Sequence, residues 1–235
     1  MTWLWPICFS ASLAMPLHAA AVSGSVELRD SNVPVVRKKM DFSGVVVWLE
    51  PASGSASVNV AAQHAKMVQK DKTFTPHVLA IPVGSTVDFP NFDPIFHNAF
   101  STYNGQVFDV GLYPPGSSRS VRFARPGIVR VFCNIHATMS AIIAVLSTPW
   151  FAVTDNKGEF TIRDVPAAEY RLRVFHERAT AATLDSLTRK LEIGGTPFNI
   201  GAVDISESGY LPIPHKNKYG HDYPAAIGSG YPAER

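Results

Sequence analysis

Cys133, His136 and Met139 fall within seven residues of one another in the segment Val131-Phe-Cys-Asn-Ile-His-Ala-Thr-Met139. A second imidazole, His97, stands 36 residues before the cysteine in Phe89-Pro-Asn-Phe-Asp-Pro-Ile-Phe-His-Asn98. These side chains are one thiolate, two imidazoles and one thioether. Two histidines and a cysteine in a trigonal plane, with a long axial methionine, make a blue-copper electron-transfer site. Thiolate and thioether suit Cu(I) and imidazole suits both oxidation states, so the set is a compromise between them. A short loop between two strands can wrap three ligands around one ion, and the fourth must then come from a neighbouring strand. Taken singly, a cysteine is most often a small buried hydrophobe and a methionine a gap-filler. The joint spacing is what points to a metal. Copper is the expected ion, with zinc or a site that has lost its metal as the competing readings.

The rest of the chain must position those four residues. It has 235 residues, of which 46% are hydrophobic and 17% charged, with a net charge of +2. Such a chain can build a core, and it lacks the basic excess of a nucleic-acid binder, so no nucleic-acid partner is expected. Residues 1–21 carry no charged side chain and end in Ala19, Ala20 and Ala21. This reads as a cleaved signal peptide, with export to the periplasm. Pro6 and Pro16 make the segment a poor anchor, and no membrane span is expected in the mature chain. Cleavage removes Cys8, one of two cysteines. Cys133 is then a lone thiol in an oxidising compartment, a liability unless it is buried or bound.

Period-two alternation recurs along the chain. Val26 and Leu28 share one face of the first segment, and Val45, Val47 and Leu49 share one face of the second. The basic run Arg37-Lys38-Lys39 between them reads as a solvated hairpin loop. Pro51 to Ser57 has a linker composition. Short strands are predicted at 66–69, 78–81, 86–89, 97–101, 120–123, 128–132 and 141–146, separated by Pro, Gly and Asn turns. Asp155-Asn-Lys-Gly158 is a predicted hairpin turn. Alternating strands surround it, including Tyr170, Leu172 and Val174. Residues 179–186 are a loop or a single helical turn. The tail, 207–235, has no periodicity and is expected to be extended or disordered unless it docks on the body.

The stretch from about Lys66 to Leu146 resembles a cupredoxin. The Cys-x2-His-x2-Met spacing is similar to the short ligand loop of amicyanin and shorter than that of plastocyanin or azurin. Gly84-Ser-Thr-Val-Asp-Phe-Pro-Asn-Phe-Asp, followed by His97-Asn98, resembles the strand pair carrying the first histidine ligand. The resemblance implies one type-1 copper on His97, Cys133, His136 and Met139. It also implies that the Asn98 side chain ties the histidine segment to the cysteine loop, orienting the ligands. Residues 22–50 and 149–206 resemble a carboxypeptidase regulatory-like, transthyretin-like sandwich, with Ala168 where that family usually has glycine. The expected fold is all-β, a Greek-key cupredoxin sandwich combined with a small transthyretin-like one. Its parts are a signal peptide (1–21), first transthyretin-like strands (22–57), a cupredoxin domain (58–147), remaining transthyretin-like strands (148–206) and the tail (207–235).

A closed ligand set leaves no open metal position for a substrate. The expected protein is therefore an exported one-electron carrier and not an enzyme. It is expected to be monomeric and to meet a redox protein such as a cytochrome c or a dehydrogenase transiently. The His136 edge is the expected electron exit, rimmed by Ile95, Phe96, Ile135 and Ala137. The alternatives are copper storage, delivery or sensing, and a structural or adhesion module. His64 and His77 read as structural or solvated, and His176 as hydrogen-bonded at a strand end beside Glu177. His215 and His221 offer only a weak surface metal site.

Overall fold

A computed structural model describes residues 19–52, 60–102, 105–211 and 214–223. The leader expected over Met1 to His18, with Cys8, and most of the linker lie outside the described residues. Strand β1 (Ala19–Arg29) leads through helix α1 (Pro34–Lys39) into β2 (Val46–Pro51). Then come β3 (His64–Lys66), β4 (Val68–Lys70), β5 (Thr73–Thr75), β6 (Val78–Pro82), β7 (Thr86–Pro90), β8 (Phe100–Ser101) and β9 (Phe108–Asp109). Strands β10 (Ser118–Arg122), β11 (Gly127–Phe132), β12 (Ser140–Leu146), β13 (Phe151–Val153), β14 (Glu159–Pro166) and β15 (Ala168–Phe175) continue the chain. Helix α2 (Ala181–Ser186), β16 (Arg189–Ile193) and β17 (Phe198–Ser206) follow. The architecture is nearly all β.

The strands form two sandwiches. Sheets β10-β7-β3 and β6-β12-β11-β8-β9 enclose one core, which includes Val87, Phe89, Val129, Val131, Ile143, Cys133 and Met139. Sheets β14-β1-β17 and β13-β2-β15-β16 enclose a second, built from Val26, Val47, Leu49, Phe160, Ile162, Tyr170, Leu172 and Ile205. Because β2 pairs with β13, with Trp48 opposite Phe151, the strands β3–β12 are an excursion between two neighbours of the second sandwich. Gly158 closes the predicted hairpin at φ +80, and a Cβ there would lie 2.1 Å from the Val26 carbonyl oxygen. Only glycine fits so close to a neighbouring backbone.

A third apolar cluster joins the two sandwiches. Strand β12 is buried on both faces: Ala141, Ile143 and Val145 point into the first core, and Ile142, Ala144 and Leu146 point outward. The outward set meets Val46, Trp48, Phe151, Val153 and Phe175 of the second sandwich. Each fully buried Ile, Leu or Val side chain contributes about 1.5–3 kcal/mol, so this contact is a fused interface rather than a tether.

A polar contact borders it. His77 Nε2 lies 3.0 and 2.9 Å from the two Glu177 oxygens, and its Nδ1 lies 3.1 Å from the Ser140 carbonyl. The Glu177 bond, opposed by burial, holds His77 above the ordinary imidazole value of 6.5. Burial pushes Glu177 up, but His77 and Arg178 hold it below 4.5. The imidazolium contribution is complete below the unfolded histidine pKa and is lost as pH rises through the raised folded value. The carboxylate contribution is present above the unfolded glutamate pKa and is lost as pH falls through the depressed folded value. The pair therefore stabilises most between about pH 4.5 and 6.5. His77 is half-exposed, so His77→Gln is expected to cost only about 0.5–1 kcal/mol at pH 6. That cost should shrink by pH 9 in urea titrations; an equal cost at both pH values would show that charge is not involved.

Several expectations are corrected. The basic run is the last turn of α1, where cationic side chains face the negative end of the helix dipole. Ala19 to Ala21, the small residues that end the apolar N-terminal segment, lie in β1, where Ala20 is buried and pairs with Val165. The strand expected over 66–69 breaks at the buried Met67, and its two parts join different sheets. Only Phe100–Ser101 of the expected 97–101 strand is regular; His97 forms an isolated bridge with Tyr113. The tail docks over residues 214–223.

Candidate metal centre

His97 is presented by a turn that its neighbours build. The Asn91 side-chain amide donates to the Ile95 carbonyl at 2.8 Å, and Asn91 Oδ1 accepts from Asp93 N–H at 3.0 Å. The buried Asp93 carboxylate then accepts three bonds. Asp71 N–H and Lys72 N–H reach it at 2.7 and 2.9 Å, and His97 Nε2 at 2.7 Å. Asp71 and Lys72 both have φ +54, as in the two-residue turn that suits a hairpin, here between β4 and β5. Behind the histidine, its N–H and C=O pair with Tyr113, whose hydroxyl donates to the Phe89 carbonyl at 2.9 Å.

The second segment follows β11. Its loop closes on itself through Met139 N–H to the His136 carbonyl at 3.1 Å and Cys133 N–H to the Met139 carbonyl at 3.2 Å. Cys133 Sγ lies 3.8 Å from His97 Nδ1 and 3.7 Å from His136 Nδ1. The three ligand atoms all lie within 4.8 Å of one another. Cys133 and His97 are buried and His136 is half-buried. The two imidazoles meet at 62° with ring centroids 4.9 Å apart. Met139 is fully buried in the same core cluster as Cys133.

The electrostatics suit an anionic sulfur. Burial pushes the Cys133 thiol up, but His97 and the backbone N–H groups of Ile135, Asn98 and His136 outweigh it and hold the thiol below its usual value. Burial lowers the His97 pKa, but the sulfur and Asp93 outweigh it and leave it raised. Burial, then His97 and Lys72, lower that of His136, leaving its nitrogen free to ligate. Asp93 holds the far nitrogen of His97, so its near nitrogen faces the sulfur, the usual arrangement of a metal-binding histidine and its carboxylate.

The spacing tests the fit to a metal. With metal–sulfur near 2.3 Å and metal–nitrogen near 2.05 Å, ligand atoms are about 3.8 Å apart at 120° and about 3.6 Å at the tetrahedral angle. The sulfur–nitrogen separations of 3.8 and 3.7 Å lie within the span of these two arrangements. The residues present therefore fit a metal held by one thiolate and two imidazoles.

Asn98 acts differently from expectation. Its Nδ2 donates to Asp109 Oδ1 at 2.7 Å and to the Gly111 carbonyl at 2.9 Å, and its Oδ1 has no hydrogen-bond partner among the described residues. The side chain thus ties the histidine segment to β9 and the following turn, and it is the backbone N–H of Asn98 that serves the sulfur. Asp93 went unassigned in the sequence reading, although a carboxylate four residues before a candidate histidine was a usable signal. Tyr113, Lys218 and Tyr223 carried no such local signal.

Three further histidines have structural partners. His64 pairs with Asp88 at 2.9 Å, and His176 with Glu207, rather than its neighbour Glu177, at 2.9 Å. His215 stacks on Phe132. No helix among the described residues is long and apolar enough to cross a membrane.

An all-β double sandwich with a His-Cys-His cluster at one end of one core is the class that fold and site define. No family model and no curated protein matches the chain. Among solved structures it is similar to a purple cupredoxin from Nitrosopumilus maritimus, with 26% identity, 35% of this chain and 99% of that chain covered, and a TM-score of 0.32. It is also similar to a copper-containing nitrite reductase from Thermus scotoductus, with 28% identity, 41% of this chain covered and a TM-score of 0.34. The match spans only 25% of that reductase. Amicyanin from Paracoccus versutus is similar at 18% identity, with 42% and 97% of the two chains covered and a TM-score of 0.34.

Proposed function

We propose that this chain holds one type-1 copper on His97, Cys133, His136 and Met139 and carries single electrons. The observation that supports this most is the near-equal spacing of Cys133 Sγ from the two imidazole Nδ1 atoms, 3.8 and 3.7 Å. Two histidines and a thiolate so placed, with a buried methionine in the same core, are the donor set of a blue-copper site. Bound there, copper would supply a one-electron couple. The protein's part is to keep the ligands still. Asp93 fixes the His97 ring, three backbone N–H groups favour the thiolate, and the core around Cys133 excludes water.

Electron exchange would run through the half-buried His136. Phe96 and Ile135, next in sequence to His97 and His136, are exposed, as are Phe92 and Leu112, next in sequence to Asp93 and Tyr113. Such an apolar rim suits a small, transient contact with a cytochrome c or a dehydrogenase. We place the protein in the periplasm, exported by its apolar N-terminal segment, where a buried, metal-bound Cys133 escapes oxidation. The second sandwich, transthyretin-like in this reading, would space or dock the copper module.

The test is the visible spectrum of the copper-loaded chain followed by redox titration. An intense thiolate-to-copper band and reversible one-electron titration are expected; a weak spectrum typical of nitrogen and oxygen ligands would overturn the reading. Met139→Leu separates redox tuning from metal holding. It conserves volume, at a packing cost under about 1.5 kcal/mol. If Met139 supplies a weak fourth donor, loss of its thioether is expected to raise the potential while the colour persists. An unchanged potential would make Met139 a core residue only.

A further inference from the structure

The tail residues 214–223 are bound to the ligand loop at its root. Tyr223 Oη donates to the Cys133 carbonyl at 2.7 Å, and Lys218 N–H donates to Asn134 Oδ1 at 2.9 Å. The Lys218 ammonium meets Asp109 Oδ2 at 2.7 Å, and the other oxygen of Asp109 accepts from Asn98 at 2.7 Å. His215 lies flat on Phe132, the residue before Cys133, with ring centroids 4.1 Å apart and planes at 24°; Tyr223 meets the same imidazole edge-on at 5.1 Å. The chain Asn134–Lys218–Asp109–Asn98 therefore joins the cysteine loop to the residue that follows His97. That is the link expected of Asn98 alone, made instead by a segment more than 80 residues further along the chain.

We propose that residues 214–223 are a fixed strap on the metal loop, with Tyr223 and Lys218 as positioning residues. Cys133 then has both peptide groups held: its N–H by Met139 from within the loop and its C=O by Tyr223 from outside. With its backbone fixed at both ends, the sulfur is presented in one place whatever charge the metal carries. The crest of the loop stays free, since Ile135, Ala137 and Thr138 are exposed under the docked tail. The strap therefore steadies the site without covering the rim offered to a partner. Its effect on copper rests on the reading of the cluster as a copper centre; its effect on the loop does not.

The test uses the full-length chain with Tyr223→Phe, Lys218→Met and Asn134→Ala, singly and combined. Hydrogen exchange of the 133–139 amides is followed in the metal-free protein, with the amides of β1 and β17 as the reference for global stability. In the triple variant the loop amides should exchange about tenfold faster while the reference amides do not change. Copper loss to a chelator should rise by about the same factor, the visible band should move, and Tyr223→Phe alone should fall between. Unchanged loop exchange in the triple variant would overturn the strap and leave the tail as a cover for Phe132. A wild-type chain without a thiolate-to-copper band would overturn the copper reading, and the exchange comparison would still decide the strap.

Discussion

Cys133→Ser is expected to abolish the intense colour of the copper-loaded protein while the sandwiches stay folded. The band arises from charge transfer out of a soft thiolate, and a serine hydroxyl is hard and un-ionised. The surroundings favour that anion. The His97 ring nitrogen lies 3.8 Å from the sulfur, and its bond, with those of the Ile135, Asn98 and His136 N–H groups, outweighs the burial that opposes ionisation. A hydroxyl can still accept from some of these donors, so the expected loss of stability is only about 1–2 kcal/mol. Visible absorption and urea unfolding of the same sample check both parts. Persistence of the band in the serine variant would remove Cys133 from the centre.

Asp93→Ala should have a large effect on both stability and copper affinity. The carboxylate is buried and satisfies Asp71 N–H, Lys72 N–H and His97 Nε2 at once. Its removal leaves two turn amides and one ring nitrogen without a partner. At about 1–3 kcal/mol for each stranded donor, partly relieved by entering water, a loss of about 3 kcal/mol is expected. The His97 ring also loses its orientation, and copper affinity should fall about 10- to 100-fold, as for other outer partners of metal-binding histidines. Asp93→Asn should fall between, because an amide offers one acceptor oxygen where the carboxylate offers two. Urea unfolding with and without copper, and competitive copper titration, measure the two effects. A normal copper affinity in the alanine variant would show that backbone pairing with Tyr113 is enough to orient His97.

The alternation of Val26 with Leu28, of Val45 with Val47 and Leu49, and of Tyr170 with Leu172 and Val174 marked true strands, because a strand buried on one face must repeat every second residue. The spacing of Cys133, His136 and Met139 marked a loop that closes on itself, since six residues leave few ways to return to a neighbouring strand. These features are local and can be read along the chain. The α1 turn was misread because three adjacent cations look alike in a solvated loop and in the last turn of a short helix.

Other features depend on residues far apart in sequence. The outward face of β12 alternates no polar residues and gives no local sign of which sheet covers it; only the fold sets Ile142 and Leu146 against Val46 and Phe151. Asn98 carried the right residue type for a link to the cysteine loop, yet its amide turns to Asp109, and a hydrogen bond goes to whichever partner the backbone brings within about 3 Å. The aperiodic tail reads as disorder by itself, because its partners, Cys133, Asn134 and Asp109, lie 84 to 109 residues away. By itself, then, the sequence determined the strands that alternate with period two and the kinds of atom that could hold a metal. Only the tertiary structure decided the 3.7–3.8 Å spacing of those atoms and which segments hold them there, because those depend on long-range closure of the chain.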